Sequence, residues 1–377
     1  MLRPYLINPS LTHNSLRRSS HLLSLPKSRT VATGAPAQKR AGDISDAFVS
    51  LSRGASPIAL EPRFAQLKKR LISSHEAAIA AAWPRLLSHL REQIEKLRDL
   101  GSKSVPEISF SEIAAAGASS SSNHHNPSFA ASYKERGVCV VRGVLGEQEA
   151  LGLKAAVRDY IRKNPHTKAF PASNPQVWEL YWSPSQLRAR SHPNFLSTQR
   201  YLMGFWHADD HAPVSMDHPI SYADRLRLRQ PGDTQFALGP HIDGGSVERW
   251  EEGGYGLGGD GRGVYSDIWR GEWEKYDPWD AGVRLGVISD LYQGVGACSM
   301  FRMAQGWLSM SNVSAGEGHL KVNPMLKGAT AYVLMRPFFE AKRTLEQLGA
   351  HDYLSLENWK MESDTTVNSF YPTTDHR

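Results

Sequence analysis

Cysteine is the scarcest residue type in this chain of 377 residues, which contains two, Cys139 and Cys298. Two cysteines exclude a disulfide scaffold and a zinc or iron–sulfur site built on cysteine. Long apolar runs are missing as well. The longest candidate, Ala77–Trp83, falls far short of the roughly 20 residues that span a bilayer. The sequence therefore predicts a soluble protein that does not act in a membrane.

Acidic residues are absent from residues 1–42, which carry seven Lys or Arg and are rich in Ser, Thr and Leu. This composition is typical of a mitochondrial transit peptide. The net charge of the whole chain is +6, but the part after residue 42 is close to neutral, so we do not expect a nucleic acid as partner. We predict import into the mitochondrial matrix. The alternative is an untargeted tail on a cytoplasmic protein.

Periodicity divides the rest of the chain into a helical and a strand-rich part. Residues 43–125 are predicted to be a linker and a helical layer, and residues 126–377 a strand-rich domain. Apolar residues recur at helical spacing across Pro62–Leu100, where Pro84 predicts a break, and Glu147–Lys163 predicts an amphipathic helix. Strands are predicted at Gly137–Val144, Val283–Ile288, Trp307–Ser311, His319–Val322 and Thr330–Leu334.

The most informative stretch is Leu238-Gly-Pro-His-Ile-Asp-Gly-Gly-Ser-Val247. Alternation across Arg225–Arg229 predicts a strand that resumes after a Pro-Gly turn, so His241 and Asp243 would project from one face. Ile242 would then pack on the other face. An imidazole and a carboxylate supply two ligands of the facial triad that holds Fe(II) in oxygenases. We therefore predict His241 and Asp243 as metal ligands; the alternative is a strand-end His beside a capping Asp.

Three other features carry weaker signals. A second His-x-Asp, His207-Ala-Asp209, lies in a polar run that favours a solvated or capping cluster. The Gly-rich segment Glu251–Gly263 lacks the Gly-Lys-Ser/Thr of a phosphate loop and predicts a mobile loop, a candidate lid. Aromatic residues cluster between residues 269 and 279, where a core position is favoured over a pocket lining.

A family resemblance rests on several phrases of the sequence. They are Tyr133–Val144, Asp224–Asp233, Gly239–Trp250, Gln305–Ser309, Lys321–Leu326, Arg336–Phe339 and Glu357–Trp359. Together they resemble the domain of unknown function 1479 (DUF1479) family. That family looks like the clavaminate-synthase-like oxygenases that depend on Fe(II) and 2-oxoglutarate. The resemblance runs from about Phe48 to Trp359.

The resemblance implies an α+β, mainly β fold: a double-stranded β-helix, the cupin-like jelly roll, with N-terminal and flanking helices. It also implies Fe(II) on His241, Asp243 and a distal His, with 2-oxoglutarate as co-substrate and hydroxylation of an unknown small molecule as the reaction. In the family, the distal His and a basic residue that grips 2-oxoglutarate follow the Glu357–Trp359 phrase. This chain continues only to Arg377, so the last strands of its jelly roll are predicted to be missing.

Three functions remain open. The chain is an oxygenase that completes its metal site with His319, His351 or a partner's side chain, or a truncated, inactive pseudo-oxygenase. The third is a non-catalytic jelly-roll protein whose alternating Arg225, Arg227 and Arg229 bind a small acid. We favour the second for this chain and the first for the family. His319, His351 and the near-terminal His376 are each expected to be structural.

Overall fold

The computed structural model describes residues 62–117, 126–221, 225–230, 242, 247–256, 263–293, 299–314, 317 and 319–362. The predicted transit peptide and most of the predicted linker lie outside these residues. All described residues belong to one compact unit, Arg40–Arg377. The α-helices of the described part are α1 (Pro62–Leu100), α2 (Phe110–Gly117), α3 (Pro127–Arg136), α4 (Glu147–Lys163), α5 (Pro184–Arg190), α6 (Pro193–Met203), α7 (Ser266–Trp269), α8 (Leu326–Met335) and α9 (Leu345–Tyr353).

The strands are two or three residues long. They are β1 (Glu107–Ser109), β2 (Val140–Arg142), β3 (Ala169–Phe170), β4 (Val177–Trp178), β5 (Leu226–Arg227), β6 (Phe339–Ala341) and β7 (Trp359–Met361). The first two pair in parallel, the next three form an antiparallel sheet with β4 in the middle, and the last two pair antiparallel. Short 3₁₀ helices lie at Gly101–Ser104, Val247–Trp250, Trp273–Lys275, Gly282–Arg284, Arg336–Phe338 and Leu356–Asn358.

Helix α1 is the longest element and forms one wall of the main core. The predicted helix is confirmed over Pro62–Leu100, but the predicted break at Pro84 is wrong, because the helix continues through this residue. Proline removes one backbone hydrogen bond, whereas the residues around it hold the helix in place by burial. Trp83, Leu86 and Leu87 are each at most 2% exposed.

The core joins α1 to α8 and the β6–β7 pair through aromatic side chains. The rings of Trp83 and Phe339 stack with centroids 4.2 Å apart, and Tyr332 stacks on Trp83 at 5.6 Å. Trp359 meets Trp83 edge to face at 5.2 Å. Such ring pairs stabilise the fold by more than the burial of their apolar area alone. This cluster therefore fixes the position of α1 against the C-terminal elements.

Helix α8 replaces a predicted strand. Thr330–Leu334 was expected to be extended because it is rich in apolar and β-branched residues, but it lies within Leu326–Met335. Residues 331–335 are all buried. A helix that is apolar on every side has no polar face to reveal its period. The sequence pattern therefore could not separate it from a buried strand.

Helix α4 agrees with its predicted bounds, Glu147–Lys163. Glu147 and Glu149 lie in its first turn and Arg162 and Lys163 in its last, which complements the helix dipole. The predicted strand at Gly137–Val144 is confirmed in part as β2. The predicted strand at Val283–Ile288 is wrong, because a 3₁₀ helix occupies Gly282–Arg284. The strands predicted at Trp307–Ser311 and His319–Val322 are also wrong, because the described residues of these two ranges contain no strand.

The described part contains more helix than strand, and its sheets are small. These elements do not test the predicted double-stranded β-helix, which stays a prediction. Within the described residues, no helix combines the length and the apolar character that crossing a membrane requires.

Candidate functional site

One residue of the predicted metal motif His241–Asp243, Ile242, lies within the described part of the structure. His241 and Asp243 lie outside the described residues, and Ile242 between them is described. Its side chain is 43% exposed, so the expected burial of Ile242 is wrong. Its carbonyl oxygen accepts a hydrogen bond from Nη2 of Arg249 at 3.2 Å. A buried guanidinium thus holds the backbone at the centre of the motif.

The 3₁₀ turn Val247–Trp250 that follows the motif is fixed in the core. All four of its residues are buried, and the indole Nε1 of Trp250 donates to the carbonyl oxygen of Leu334 at 3.0 Å. That carbonyl belongs to α8, so the turn is bound to a helix of the central core. The backbone leaving the motif is therefore positioned by a rigid element, as a binding site requires.

The Gly-rich segment after this turn begins as a tight bend. Tyr255 N–H donates to the carbonyl of Glu248 at 2.9 Å, and Gly256 N–H to that of Glu251 at 2.8 Å. A Cβ at Gly254 would lie 2.2 Å from the Glu248 carbonyl oxygen, so only glycine fits there. The expected mobile loop is thus a hydrogen-bonded turn over Glu251–Gly256. Residues 257–262 lie outside the described part.

The tyrosine row, our name for Tyr255, Tyr265 and Tyr276, lies between Arg249 and a second arginine, Arg284. The Arg249 guanidinium carbon lies 5.5 Å from the ring centroid of Tyr255. Tyr255 stacks on Tyr265 at 5.8 Å, and Tyr265 lies 5.8 Å from Tyr276. The hydroxyl of Tyr276 accepts a hydrogen bond from Nη2 of Arg284 at 2.9 Å. The row therefore links the motif's backbone to the Arg284 guanidinium.

Burial keeps Tyr255 and Tyr276 protonated. It raises the pKa of Tyr276 to about 12, and it raises that of Tyr255 against the opposing effect of Arg249. Both hydroxyls are consequently neutral at physiological pH. These two hydroxyls, which lie nearest Arg249 and Arg284, therefore carry no negative charge to neutralise them.

Arg284 is rigidly held and partly buried. Besides Tyr276, its Nη2 donates to the carbonyl of Pro278 at 3.2 Å, and its guanidinium carbon lies 5.6 Å from the Trp206 ring centroid. Its Nε is buried and has no hydrogen-bond partner among the described residues. The indole Nε1 of Trp206 is also buried, and it too lacks a partner within the described part of the chain. Nothing in the local sequence marked Arg284, because the groups that hold it come together only in the folded chain.

The second His-x-Asp is at the surface, as expected. Nε2 of His207 lies 2.8 Å from Oδ2 of Asp277, and the two side chains are 56% and 51% exposed. The backbone of His207 is bonded to Trp279 and Ala281. This solvated pair ties two loops together and has no environment suited to a catalytic centre.

The candidates for a distal metal ligand do not complete a site within the described chain. His351 lies on α9 with Nε2 2.9 Å from Nη2 of Arg91 and Nδ1 2.8 Å from Oδ1 of Asp352. His319 is exposed, and His376 lies outside the described residues. No group of three His, Cys, Asp or Glu side chains suited to a metal occurs among the residues with described positions. The imidazole and carboxylate of the motif therefore fit Fe(II) in donor type, and a third ligand is not found in the described part.

Two further predictions concern the strand before the motif and the aromatic residues between positions 269 and 279. Leu226 is buried while Arg225 and Arg227 are exposed, but Leu228 and Arg229 are both half-buried, so the alternation predicted across Arg225–Arg229 is confirmed in part. Trp269, Trp273 and Tyr276 are each at most 4% exposed. The favoured interpretation of the aromatic cluster as core is also confirmed.

Two solved structures are similar to this chain in fold. One is GlcNAc Inducible Gene 2, GIG2 (DUF1479), from Candida albicans, with a TM-score of 0.66 and 27% identity over 85% of this chain and 65% of that one. The other, from Salmonella typhimurium LT2, is provisionally named an oxidoreductase. Its TM-score is 0.64, with 30% identity over 76% of this chain and 69% of that one.

The chain belongs to the Gig2-like (DUF1479) family, whose pattern matches residues 58–374. This confirms the resemblance seen in the sequence. The uncharacterised protein YbiU of Escherichia coli K12 is 30% identical over 261 residues, which is 66% of this chain. The chain spans 59% of the length of that curated relative.

Proposed function

We propose that this chain is an oxidoreductase of the Fe(II)- and 2-oxoglutarate-dependent dioxygenase type. His241 and Asp243 would hold the metal on a double-stranded β-helix. The provisional name of the Salmonella relative supports the broader class of oxidoreductase. The finer assignment rests on the His-x-Asp motif, because a neutral imidazole and a carboxylate two residues apart are donors that Fe(II) accepts.

The single observation that carries the proposal is the anchoring of the motif. Buried Arg249 binds the carbonyl of Ile242, and Trp250 binds the carbonyl of Leu334. A backbone held at Ile242, and again after the motif at Trp250, would hold the two side chains that flank Ile242 at a constant separation. Metal ligands need such support, since loosely held donors lose affinity.

The bound metal and 2-oxoglutarate would supply the oxidation of a C–H bond. The chain's own residues would do the rest. Arg249 fixes the backbone between the two ligands, and the turn Val247–Trp250 keeps that backbone on the core. Tyr265 and Tyr276 of the tyrosine row are buried and Tyr255 lies beside Arg249, so the row would exclude water from that side of the turn.

Calorimetric titration of the full chain with Mn(II), a redox-stable substitute for Fe(II), tests the metal site. We expect a single site whose affinity falls at least tenfold in His241→Ala and in Asp243→Ala. His207→Ala is the matched control, because it removes the other His-x-Asp imidazole and should leave the affinity unchanged. Equal affinity in parent and His241→Ala would contradict the assignment of the metal ligands.

A parent chain that binds no Mn(II) would support the alternative of an inactive pseudo-oxygenase. The same titration thus separates the first two of the three functions that the sequence leaves open. Mitochondrial import is a separate proposal. It predicts that residues 1–42 direct a fused fluorescent protein to mitochondria, and a cytosolic distribution would argue against it.

A further inference from the structure

Residues 304–310, which we call the open edge, have the burial pattern of a strand without forming one. They contain no helix, turn or bend, and exposed and half-buried residues alternate from Trp307 to Met310. Successive side chains of a strand point to opposite faces, so such alternation is typical of a strand with one face on a core. The open edge is therefore shaped like the outermost strand of a sheet.

One end of the open edge is fixed to helix α4. Met310 packs on a buried apolar cluster that includes Val157 of this helix. The hydroxyl of the next residue, Ser311, accepts a hydrogen bond from Nζ of Lys154 at 2.6 Å. Leu151, three residues before Lys154 and thus on the same face of α4, is 41% exposed. The apolar surface of the open edge continues onto the helix that holds it.

The other side of the open edge faces free space. Among the described residues, none of residues 304–310 takes part in a backbone–backbone hydrogen bond. A Cβ added at Gly306 would meet no described atom within 4 Å, and Trp307 is 66% exposed. A row of exposed, unpaired N–H and C=O groups is a template for pairing with a further strand.

The composition of the open edge indicates which strand it pairs with. No charged residue and no proline lies between Arg302 and Glu317. Native proteins usually protect an exposed edge with lysine, proline or an inward-pointing charge. Without charge, two copies of this segment do not repel each other, and an acidic or basic strand finds no complementary partner on it. A second copy of the same segment is thus favoured over a charged strand of another protein.

We propose that the open edge pairs antiparallel with the open edge of a second copy of the chain and so forms a dimer. Directly opposite residues of an antiparallel pair share a face, and a twofold axis makes the contacts reciprocal. An axis through Trp307 places this ring against Trp307 of the partner subunit. Gln305 then lies opposite Ser309 of the partner subunit, where amide and hydroxyl form a hydrogen bond. Aromatic and polar cross-strand pairs of this kind stabilise a sheet.

The same register matches side-chain size on the inner face. Ala304 lies opposite Met310 of the partner subunit, and Gly306 lies opposite Leu308 of the partner subunit. Each large side chain therefore meets a small one. A glycine inside a strand often marks the close approach of another backbone, which agrees with the open space beside Gly306. This pairing uses no residue of the metal motif, so it is independent of the proposed function.

Sedimentation velocity of the full chain, from micromolar to submillimolar concentration, tests the dimer. We expect the parent to dimerise, and Trp307→Lys to weaken the dimer by at least about tenfold, because two like charges would meet at the axis. Trp182→Lys is the matched control, since Trp182 is 64% exposed and lies outside the open edge. It should leave the dimer unchanged. Urea unfolding of both variants at low concentration verifies that they fold.

Cysteine cross-linking tests the register. A mixture of Gln305→Cys chains with Ser309→Cys chains should form a covalent dimer under mild oxidation, because opposite residues lie within disulfide reach. Gln305→Cys chains alone should not, since their two thiols would lie four residues, or roughly 13 Å, apart along the strand. The parent, with its own Cys139 and Cys298, gives the background.

Three results would overturn the proposal. The first is a dimer that persists in Trp307→Lys, which would place the interface elsewhere. The second is equal cross-linking by Gln305→Cys chains alone and by the mixture, which would exclude the register. The third is a parent chain that stays monomeric at every concentration, which would leave the open edge to a strand of a different polypeptide.

Discussion

Nη2 of Arg249 lies 3.2 Å from the carbonyl oxygen of Ile242, the residue between His241 and Asp243. Arg249 is 5% exposed, and its 3₁₀ turn is tied to α8 through Trp250. This contact makes the predicted metal motif part of the folded core at one defined point. The strongest test of that relationship is to remove the guanidinium and to ask whether the motif keeps its affinity for metal.

Arg249→Met should weaken Mn(II) binding by about 10–100-fold, the range seen when groups that orient metal ligands are removed. It should also lower the free energy of unfolding by about 1.5–3 kcal/mol, because the Ile242 carbonyl loses a hydrogen bond from a charged donor. Calorimetry and urea unfolding measure the two effects. Arg270→Met, a change at a half-exposed surface pair with Asp267, should alter neither quantity appreciably. Unchanged metal affinity in Arg249→Met would show that the contact does not support the motif.

Trp83→Ala should lower the free energy of unfolding by about 3–5 kcal/mol. Trp83 is 1% exposed and contacts the rings of Phe339, Tyr332 and Trp359, so its removal leaves a cavity between α1 and the C-terminal elements. Urea unfolding followed by circular dichroism measures the change. Trp307→Ala is the control, since Trp307 is 66% exposed and its loss should cost no more than about 0.5 kcal/mol. Similar losses in both variants would contradict the assigned core.

Pro84→Ala should raise the free energy of unfolding by about 1–3 kcal/mol. Pro84 lies inside α1, where it provides no N–H for the carbonyl four residues earlier, and alanine would restore that bond. Pro193→Ala is the matched control, because Pro193 occupies the first turn of α6, where an N–H is not needed. The urea midpoints of the two variants give the comparison. A destabilised Pro84→Ala would mean that the proline ring packs more favourably than the missing bond costs.

Stability should rise as the pH is raised through about 6.5, the usual pKa of histidine. Burial lowers the pKa of His75, and it lowers that of His89 against the opposing effect of nearby glutamates. The unfolded chain, with a histidine pKa of about 6.5, then binds protons that the folded chain refuses, so acid favours unfolding. His75→Gln with His89→Gln should flatten this dependence in urea unfolding experiments at stepped pH. The stability difference from the parent above pH ~7.5 reports the packing change alone. A slope that survives the double variant would assign the proton uptake to other groups.

The sequence predicts some elements well for identifiable reasons. Glu147–Lys163 has apolar residues on one face and complementary charges in its end turns, and the structure has α4 with these bounds. Thr330–Leu334 was misassigned because a helix buried on all sides shows no helical period. The break at Pro84 was wrong because tertiary burial of Trp83 and Leu86 outweighs one missing hydrogen bond.

The candidate site likewise contains residues that the sequence indicates and residues that it does not. The sequence indicates His241 and Asp243 because their spacing is local, and the family follows from the phrases around them. The contacts of Arg284 could not be found from sequence, because Trp206, Tyr276 and Pro278 meet it only in the folded chain. Local patterns indicate ligands that are neighbours along the chain, whereas contacts assembled from separate turns leave no such pattern.

The central claim is that His241 and Asp243 bind iron together with 2-oxoglutarate. The most direct measurement is the visible absorption spectrum of the full chain with Fe(II) and 2-oxoglutarate under anaerobic conditions. The account predicts a weak charge-transfer band in the parent and in His207→Ala, and its loss in His241→Ala and in Asp243→Ala. A band of equal intensity in the His241→Ala and Asp243→Ala variants would contradict it.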